Sequence, residues 1–184
     1  MTDPASTYPT PAVPPIPVWL SHLPVVGGLA VPWITPRTDD GRYLFGGLHP
    51  VRQRQAINQH RCQICGRSLE CPLVLLMRLS DLPRQRTSEP ALHPVCVAYT
   101  EAACPMVGGR MSHYRSRAMR LGTGMVAADD EPARLGAPAE PWFAVWLNRY
   151  QPITDPINGK PAASYAGIRP LRIRPITWRQ LLPW

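Results

Sequence analysis

Apolar and polar positions alternate in short blocks along this chain, and three blocks have the character of regular secondary structure. The run Leu73–Leu79 is almost wholly apolar, which is typical of a buried strand. The run Trp142–Tyr150 is rich in aromatic and β-branched residues and also predicts a strand. Between them, Val95–Ala103 follows Pro94 and stops at Cys104-Pro105, and proline favours the first helical position. The chain is therefore predicted to mix short strands with short helices.

Turn residues predict further hairpins around these three blocks. Asp39-Asp40-Gly41 lies between the β-forming runs Val31–Ile34 and Tyr43–Phe45, and Asp-Gly in that position indicates a hairpin. Turn chemistry explains its two aspartates better than a paired-carboxylate catalytic site does. Asn158-Gly159 predicts a second hairpin, between the aromatic run and Ser164–Ile176, whose prolines favour a sheet edge. The segment from residue 51 to 59 is only loosely helical in its spacing.

A further helix is predicted over Arg110–Arg120. Helical offsets of three and four residues would align several basic side chains on one side: Arg110, His113, Arg117 and Arg120. The neighbouring stripe would be apolar and face the core. Arg110, Arg117 and Arg120 are therefore the candidate nucleic-acid-binding residues, because arginines on one face can contact phosphates. The alternative is a plain solvated helix face.

Composition divides the chain into three parts. Proline is unusually frequent, with 24 residues in 184, which favours loops and short elements over long helices. Residues 1–17 are rich in proline and are predicted to form a disordered arm. Residues 18–176, in a chain with a hydrophobic fraction of 45%, are predicted to form a single α+β domain. Residues 177–184 are predicted to be an apolar tail.

The net charge indicates a class of partner, and the lack of targeting signals indicates a compartment. The formal net charge is +8, almost all from arginine, so DNA, RNA or an acidic protein is a plausible polyanionic partner. A soluble basic protein without such a partner is the alternative. No secretory signal and no apolar run of membrane-spanning length is found. Five cysteines with metal-type spacing favour a reducing compartment, so the expected location is cytoplasmic.

Two pairs of residues have the spacing of metal ligands. Cys62 and Cys65 are separated by two residues and followed by Gly66, as in the tight turn of a zinc knuckle. His93 and Cys96 are three apart at the start of the predicted helix, which places both on one side of its first turn. Together they provide the four nitrogen and sulfur ligands of a tetrahedral zinc site. The predicted cofactor is a structural Zn²⁺ held by Cys62, Cys65, His93 and Cys96.

Other interpretations of the cysteines remain open. Cys62 and Cys65 could be a redox dithiol, and all five cysteines could be free or buried thiols in a reducing cell. His60 is an alternative ligand, and Cys71 or Cys104 could replace His93, although neither has a partner at ligand spacing. No constellation of catalytic residues is found, which argues against an enzyme.

Two resemblances extend this interpretation. The order of knuckle, apolar strand, loop and ligand-bearing helix resembles a treble-clef zinc finger. The segment Arg52–Gly66 resembles the lead-in to the knuckle of HNH-type endonucleases. In that family an Asp-His pair on the following strand supplies the general base. The corresponding region here, Leu73–Asp81, contains no histidine, so the nuclease chemistry does not carry over.

The stretch from Val31 to Arg174 also resembles uncharacterised zinc-binding proteins of actinobacteria and their phages. The shared pattern consists of the knuckle, the His93-x-x-Cys96 pair and three short motifs: Pro32-Trp33-Ile34, Asp40-Gly41 and Cys104-Pro105. This resemblance implies a source and no function.

The sequence as a whole predicts a small α+β fold with a treble-clef zinc core, short hairpins, short helices and many loops. The first functional hypothesis is a non-enzymatic, zinc-stabilised binding module that contacts nucleic acid or an acidic protein through arginines. The alternative is a structural protein, of cellular or phage origin, tied into an assembly by its arm and tail. The third hypothesis is a degenerate HNH-type nuclease that uses His60, His93 or His113.

Overall fold

Short strands and two helices build an α+β fold with many loops. The computed structural model describes residues 13–121, 127 and 131–177. Within these residues the helices are α1 (Pro50–Asn58) and α2 (Pro94–Ala103), with 3-10 turns at Val18–Leu20 and Pro132–Arg134. The strands are β1 (Val25–Val26), β2 (Leu29–Ala30), β3 (Leu73–Arg78), β4 (Arg86–Thr87), β5 (Trp142–Leu147), β6 (Gln151–Thr154), β7 (Pro161–Ser164) and β8 (Arg172–Pro175).

The central sheet is antiparallel and has the order β3-β5-β8. β3 and β5 pair along their full length, from Leu73 opposite Leu147 to Arg78 opposite Trp142. All six residues of β3 are buried, in agreement with its apolar sequence. The free side of β3 forms a bridge with Leu92, whose N–H and C=O both bond to Val74 at 2.9 Å. That bridge brings the start of α2 beside the sheet.

β3 separates two hydrophobic clusters, because its side chains alternate between the faces of the sheet. Val74 and Leu76 pack with the three cysteines of the two predicted ligand pairs, with α2 and with the N-terminal residues Leu20 and Leu23. On the other face, the side chains of Leu73, Leu75 and Met77 belong to a second cluster with α1, β5 and β7. The predicted metal ligands therefore contribute to one core and not to the other.

α1 lies against the second cluster through one face. Gln53, Ala56 and Ile57 are its buried residues, at offsets of three and four. The Tyr150 hydroxyl donates to the carbonyl of Ile57 at 2.7 Å, and the Gln53 amide donates to the carbonyl of Ser88 at 2.7 Å. These bonds fix the helix by its inner face and leave its outer face to solvent.

The second sheet has the order β4-β7-β6, and its hairpin corrects one prediction. Asn158-Gly159 lies in a turn as predicted, but the turn joins β6 to β7, and β5 pairs instead with β8. β8 lies at the edge of the central sheet, as its prolines indicate. The first predicted hairpin is reduced to a turn at Gly41 and a single bridge between Arg37 and Tyr43.

The predicted helix over Arg110–Arg120 is wrong. This segment is extended, and His113 forms a bridge with Pro138. The Tyr114 N–H donates to the carbonyl of Ala137 at 2.9 Å, and the Ala139 N–H donates to the carbonyl of Ser112 at 2.8 Å. Backbone pairing with a distant segment has replaced the local helical bonds, so the basic residues do not form one helical face.

The strands β3 and β5, the helix α2 and the small α+β class are confirmed. The treble-clef topology and the division at residues 17 and 177 remain predictions. Most of the predicted arm and nearly all of the predicted tail, residues 1–12 and 178–184, lie outside the described residues. No helix within the described part of the chain is long and apolar enough to cross a membrane.

Candidate metal centre

The two predicted ligand pairs meet at one point. The donor atoms of Cys62, Cys65, His93 and Cys96 all lie within 4.8 Å of one another. The three cysteines are buried and His93 is partly buried. A Cys₃His group with these separations could hold a metal ion.

The first pair sits on a tight turn between α1 and β3. The Gly66 N–H donates to the carbonyl of Cys62 at 2.9 Å, and the Cys62 N–H donates to the carbonyl of Arg67 at 2.8 Å. A bridge between Arg61 and Ser68 closes the turn behind these bonds. Both thiols therefore point from one short, hydrogen-bonded loop towards the same side.

Gly66 and Trp33 determine the shape of that loop. Gly66 has φ +73°, the left-handed region that glycine adopts without steric cost. A Cβ at this position would lie 2.7 Å from Cγ of Trp33, so the indole packs directly on the glycine. The Trp33 N–H donates to the carbonyl of Ile64 at 2.7 Å, which adds the N-terminal segment to the wall of the site.

The second pair is placed by the end of a bridge and the start of a helix. Leu92 is hydrogen-bonded to β3, so the next residue, His93, emerges beside the knuckle. His93 is the N-cap residue of α2, and Pro94 follows it as predicted. The Cys96 N–H donates to the carbonyl of His93 at 2.9 Å, which holds the two ligands on the same turn.

The imidazole of His93 is oriented for metal binding through Nδ1. Its Nε2 lies 2.9 Å from the carbonyl oxygen of Ser68. A carbonyl only accepts, so Nε2 carries the proton, and in the neutral ring Nδ1 presents a lone pair. Nδ1 lies 3.4 Å from Sγ of Cys65, inside the ligand group. Metal-binding histidines usually donate the N–H of their other ring nitrogen to a carbonyl or carboxylate, as His93 does to Ser68. The residues present therefore fit a bound metal.

The three thiols interact strongly through their closeness. Hydrogen bonds from the Cys65 and Cys96 thiols lower the pKa of Cys62. The pKa of Cys96 is raised, first by its hydrogen bond with Cys62, then by Cys65 and by burial. The thiolate of Cys62 is thus favoured, and ionisation of Cys96 is opposed by its hydrogen bonds, by burial and by repulsion from the other two sulfur atoms. A divalent cation would remove that repulsion.

The alternative ligands lie outside the group. The Cys71 thiol is exposed and donates to Oδ1 of Asn148 at 3.1 Å. Burial raises the pKa of the Cys104 thiol, which packs against the core as a partly buried side chain. The ring of His60 stacks on Tyr150 with centroids 4.5 Å apart. Each of these residues is therefore engaged in contacts away from the four clustered donors.

The predicted nucleic-acid-binding arginines do not form one surface of a helix. The guanidinium of Arg110 donates to the carbonyl of Ala102 at 2.7 Å, near the C-terminal end of α2. Arg117 and Arg120 are exposed on the extended segment. A role for the three residues in binding remains a prediction.

Sequence reasoning missed a buried ion cluster at the end of β3. The Arg78 guanidinium contacts Glu89 at 2.6 Å and Asp81 at 3.4 Å, and it lies 4.5 Å from the centre of the Trp142 ring. Arg134 reaches the other oxygen of Asp81 at 3.5 Å. Burial disfavours the charge of Arg78, but Glu89 and Asp81 outweigh it and raise the pKa. The only signal in the sequence is an arginine that continues a buried strand.

The fold and the site together define a small α+β protein with a candidate Cys₃His metal centre. Comparison with family models, with curated proteins and with solved structures gives no match to this chain.

Proposed function

We propose that this chain is a non-enzymatic binding module whose fold is stabilised by one structural zinc ion and which binds nucleic acid through an arginine-rich surface. The convergence of Cys62, Cys65, His93 and Cys96 carries the proposal. Thiolate and imidazole ligands suit zinc, and a site with four protein ligands leaves no position for substrate or water. The centre would therefore be structural, of a treble-clef kind.

The position of the centre supports a structural role. One ligand pair lies between α1 and β3, and the other begins α2, so the metal would join segments far apart in sequence. The cysteines also pack in the hydrophobic cluster with Leu20, Val74 and Val97. Metal binding at such a site contributes directly to folding free energy.

The distribution of charge supports a polyanionic partner. Most carboxylates in the described residues are at least partly buried, and several pair with arginine, as Glu89 does with Arg78 and Asp155 does with Arg86. Within those residues, exposed carboxylates are confined to three positions: Asp39, Asp40 and Glu70. Exposed arginines are far more numerous: Arg37, Arg42, Arg54, Arg67, Arg84, Arg110, Arg117, Arg120, Arg149, Arg169 and Arg172. The surface is therefore strongly positive, which attracts phosphate backbones.

The metal is tested by measuring its content in protein purified without added zinc. We expect one zinc per chain in the wild type and loss of metal, with a lower melting temperature, in Cys65→Ser and Cys96→Ser. Cys71→Ser is the matched control, because its thiol is exposed and lies outside the ligand group. Metal-free wild-type protein that melts like the purified form would contradict the structural centre.

Nucleic-acid binding is tested separately on the zinc-loaded wild type. Anisotropy of a labelled duplex DNA and a labelled single-stranded RNA should report binding that weakens linearly with the logarithm of salt concentration. Absence of binding to both at low salt would refute this half of the proposal and leave the metal centre unaffected.

A further inference from the structure

The outer face of α1 and the adjacent knuckle form a continuous surface of arginine and amide side chains. The exposed residues of the helix lie at offsets of three, four and seven, opposite its buried face: Val51, Arg54, Gln55 and Asn58. Gln59 is exposed directly after the helix, and Arg61 and Arg67 flank the two knuckle cysteines. We refer to Arg54, Gln55, Asn58, Gln59, Arg61 and Arg67 as the α1–knuckle surface.

The backbone ties the two parts of this surface together. The Arg61 N–H donates to the carbonyl of Ala56 at 2.9 Å, so the knuckle begins against the last turn of α1. Arg61 forms an antiparallel bridge with Ser68, which places Arg67 beside it. The surface is therefore set by hydrogen-bonded backbone on both sides.

The side chain of Arg61 is also held in place. Its Nε donates to Oε1 of Gln59 at 3.1 Å, and one terminal nitrogen donates to the carbonyl of Gly66 at 3.2 Å. The guanidinium thus spans from the end of the helix to the knuckle. A guanidinium that is already oriented loses less conformational entropy when it binds a phosphate.

The stretch of chain that builds this surface carries no negative side chain. Between Asp40 and Glu70 the sequence contains no carboxylate, and it contains five arginines: Arg42, Arg52, Arg54, Arg61 and Arg67. Arg52 is directed inward, where it donates to the carbonyl of Trp33 at 2.6 Å. Asp40, at the boundary, is paired with Arg42 at 2.8 Å. Glu70, at the other boundary, is exposed, and among the residues that the structure describes no ion pair involves Arg54, Arg61 or Arg67.

Amide side chains between the arginines favour nucleic acid over an acidic protein. Gln55, Asn58 and Gln59 each carry both a donor and an acceptor, which match the edges of bases and the oxygens of the sugar-phosphate backbone. An acidic protein surface offers mainly acceptors and would use the arginines alone. We propose that the α1–knuckle surface is the nucleic-acid-binding surface of this chain. This inference rests on the proposed function, because it assigns the place at which the binding module contacts its partner.

The experiment compares two double variants that remove the same charge. Arg54→Gln/Arg67→Gln changes the α1–knuckle surface, and Arg169→Gln/Arg172→Gln changes two exposed arginines at and before β8, on the edge of the central sheet. Both are measured by fluorescence anisotropy on duplex DNA and single-stranded RNA over a range of salt, after zinc content and circular dichroism confirm the fold. A polyglutamate peptide serves as the acidic-protein probe.

We expect Arg54→Gln/Arg67→Gln to weaken binding about tenfold or more and to reduce the salt slope by about 2, roughly one unit per lost phosphate contact. Arg169→Gln/Arg172→Gln should change affinity by less than about twofold, with the slope retained. Equal weakening by the two variants, or tighter binding of polyglutamate than of either nucleic acid, would overturn the assignment of this surface. If the zinc-loaded wild type binds neither nucleic acid, the proposed function itself fails together with this inference.

Discussion

Gly66 meets two separate requirements in the candidate metal centre. Its φ of +73° lies in the left-handed region, and its α-carbon is covered by the indole of Trp33. Trp33 cannot move away easily, because its backbone is bonded to Ile64 and Arg52 lies 5.7 Å from the centre of its ring. A single glycine therefore permits both the turn and the packing above it.

Gly66→Ala should destabilise the protein by two additive effects. The left-handed conformation costs a residue with a Cβ about 1–2 kcal/mol, and overpacking against Trp33 adds about 1–3 kcal/mol. Gly159→Ala is the matched control, because Gly159 has φ +68° and a Cβ added there would meet nothing within 4 Å. Urea unfolding of the zinc-loaded proteins measures both. Equal losses in the two variants would show that Trp33 does not restrict this position.

The four clustered donors could be predicted from the sequence because their spacing is a local property. Two residues between cysteines determine a knuckle, and three from His93 to Cys96 determine one side of a helical turn. The partners around them could not be predicted. The Ser68 carbonyl that orients His93 is a backbone atom, and the residue that covers Gly66, Trp33, is distant in sequence. Residue type and spacing specify neither contact.

At the scale of elements, the end of β3 is joined to its neighbours by buried charge. Arg78 forms ion pairs with Glu89, which follows β4, and with Asp81, three residues further along the chain. Arg134 contacts Asp81 from a later segment of the chain. The side chains of Arg78 and Asp81 are only 5% and 6% exposed, so each charge depends on the others for compensation. The cluster fixes where the loop after β3 returns to the sheet.

Arg78→Met should be strongly destabilising, because the apolar replacement leaves Asp81 and Glu89 buried without their main counter-charge. The expected loss in the free energy of unfolding is about 3–5 kcal/mol. Adding Asp81→Asn and Glu89→Gln to the same chain should recover much of that loss, since positions 78, 81 and 89 are then all neutral and Arg134 keeps Glu140 at 3.7 Å. Denaturant unfolding of the single and triple variants measures the difference. A triple variant less stable than Arg78→Met would contradict this account.

Elements were predicted correctly where local signals agreed with the final packing. α2 has proline at its start and stops before Cys104-Pro105, and β3 has an apolar run that both cores bury. The prediction over Arg110–Arg120 failed because the backbone there pairs with residues 136–139. Helical spacing reports only on neighbours in sequence and cannot reveal such a long-range pairing. β8 was predicted as an edge strand, but its pairing with β5 was not. That pairing requires the intervening β6–β7 hairpin to leave the central sheet, which the local sequence does not indicate.

At the scale of the whole molecule, the metal would affect one core more than the other. Three of the four candidate ligands, Cys62, Cys65 and Cys96, belong to the cluster with α2 and the N-terminal segment, and the second cluster on the opposite face of β3 contains none of the four. Removal of the ion should therefore loosen the molecule unevenly, since local opening follows the contacts that hold each part.

Hydrogen exchange before and after chelation measures this difference. We expect protection to fall at the amides of Trp33, Gly66 and Cys96, whose hydrogen bonds surround the ligands. Protection should be retained in the β6–β7 hairpin, for example at Asp155, which donates to the carbonyl of Lys160 at 2.8 Å. Uniform loss in both regions would show a single cooperative unit, and unchanged exchange would show that the metal has no structural role.

The pairing of β3 with β5 has a consequence for the chain while it is being synthesised. Leu73 finds its partner at Leu147, so the ribosome must add about 70 residues after β3 before β5 exists, which takes roughly 4–14 s at typical rates. During that interval one edge of a largely apolar strand is open to other chains, and such strands are prone to aggregate. Leu92 emerges much earlier and pairs with the opposite edge of β3, close in sequence to Cys96. A metal ion bound during translation would thus stabilise the segment on that opposite edge before β5 is available, and would leave a single edge of β3 open.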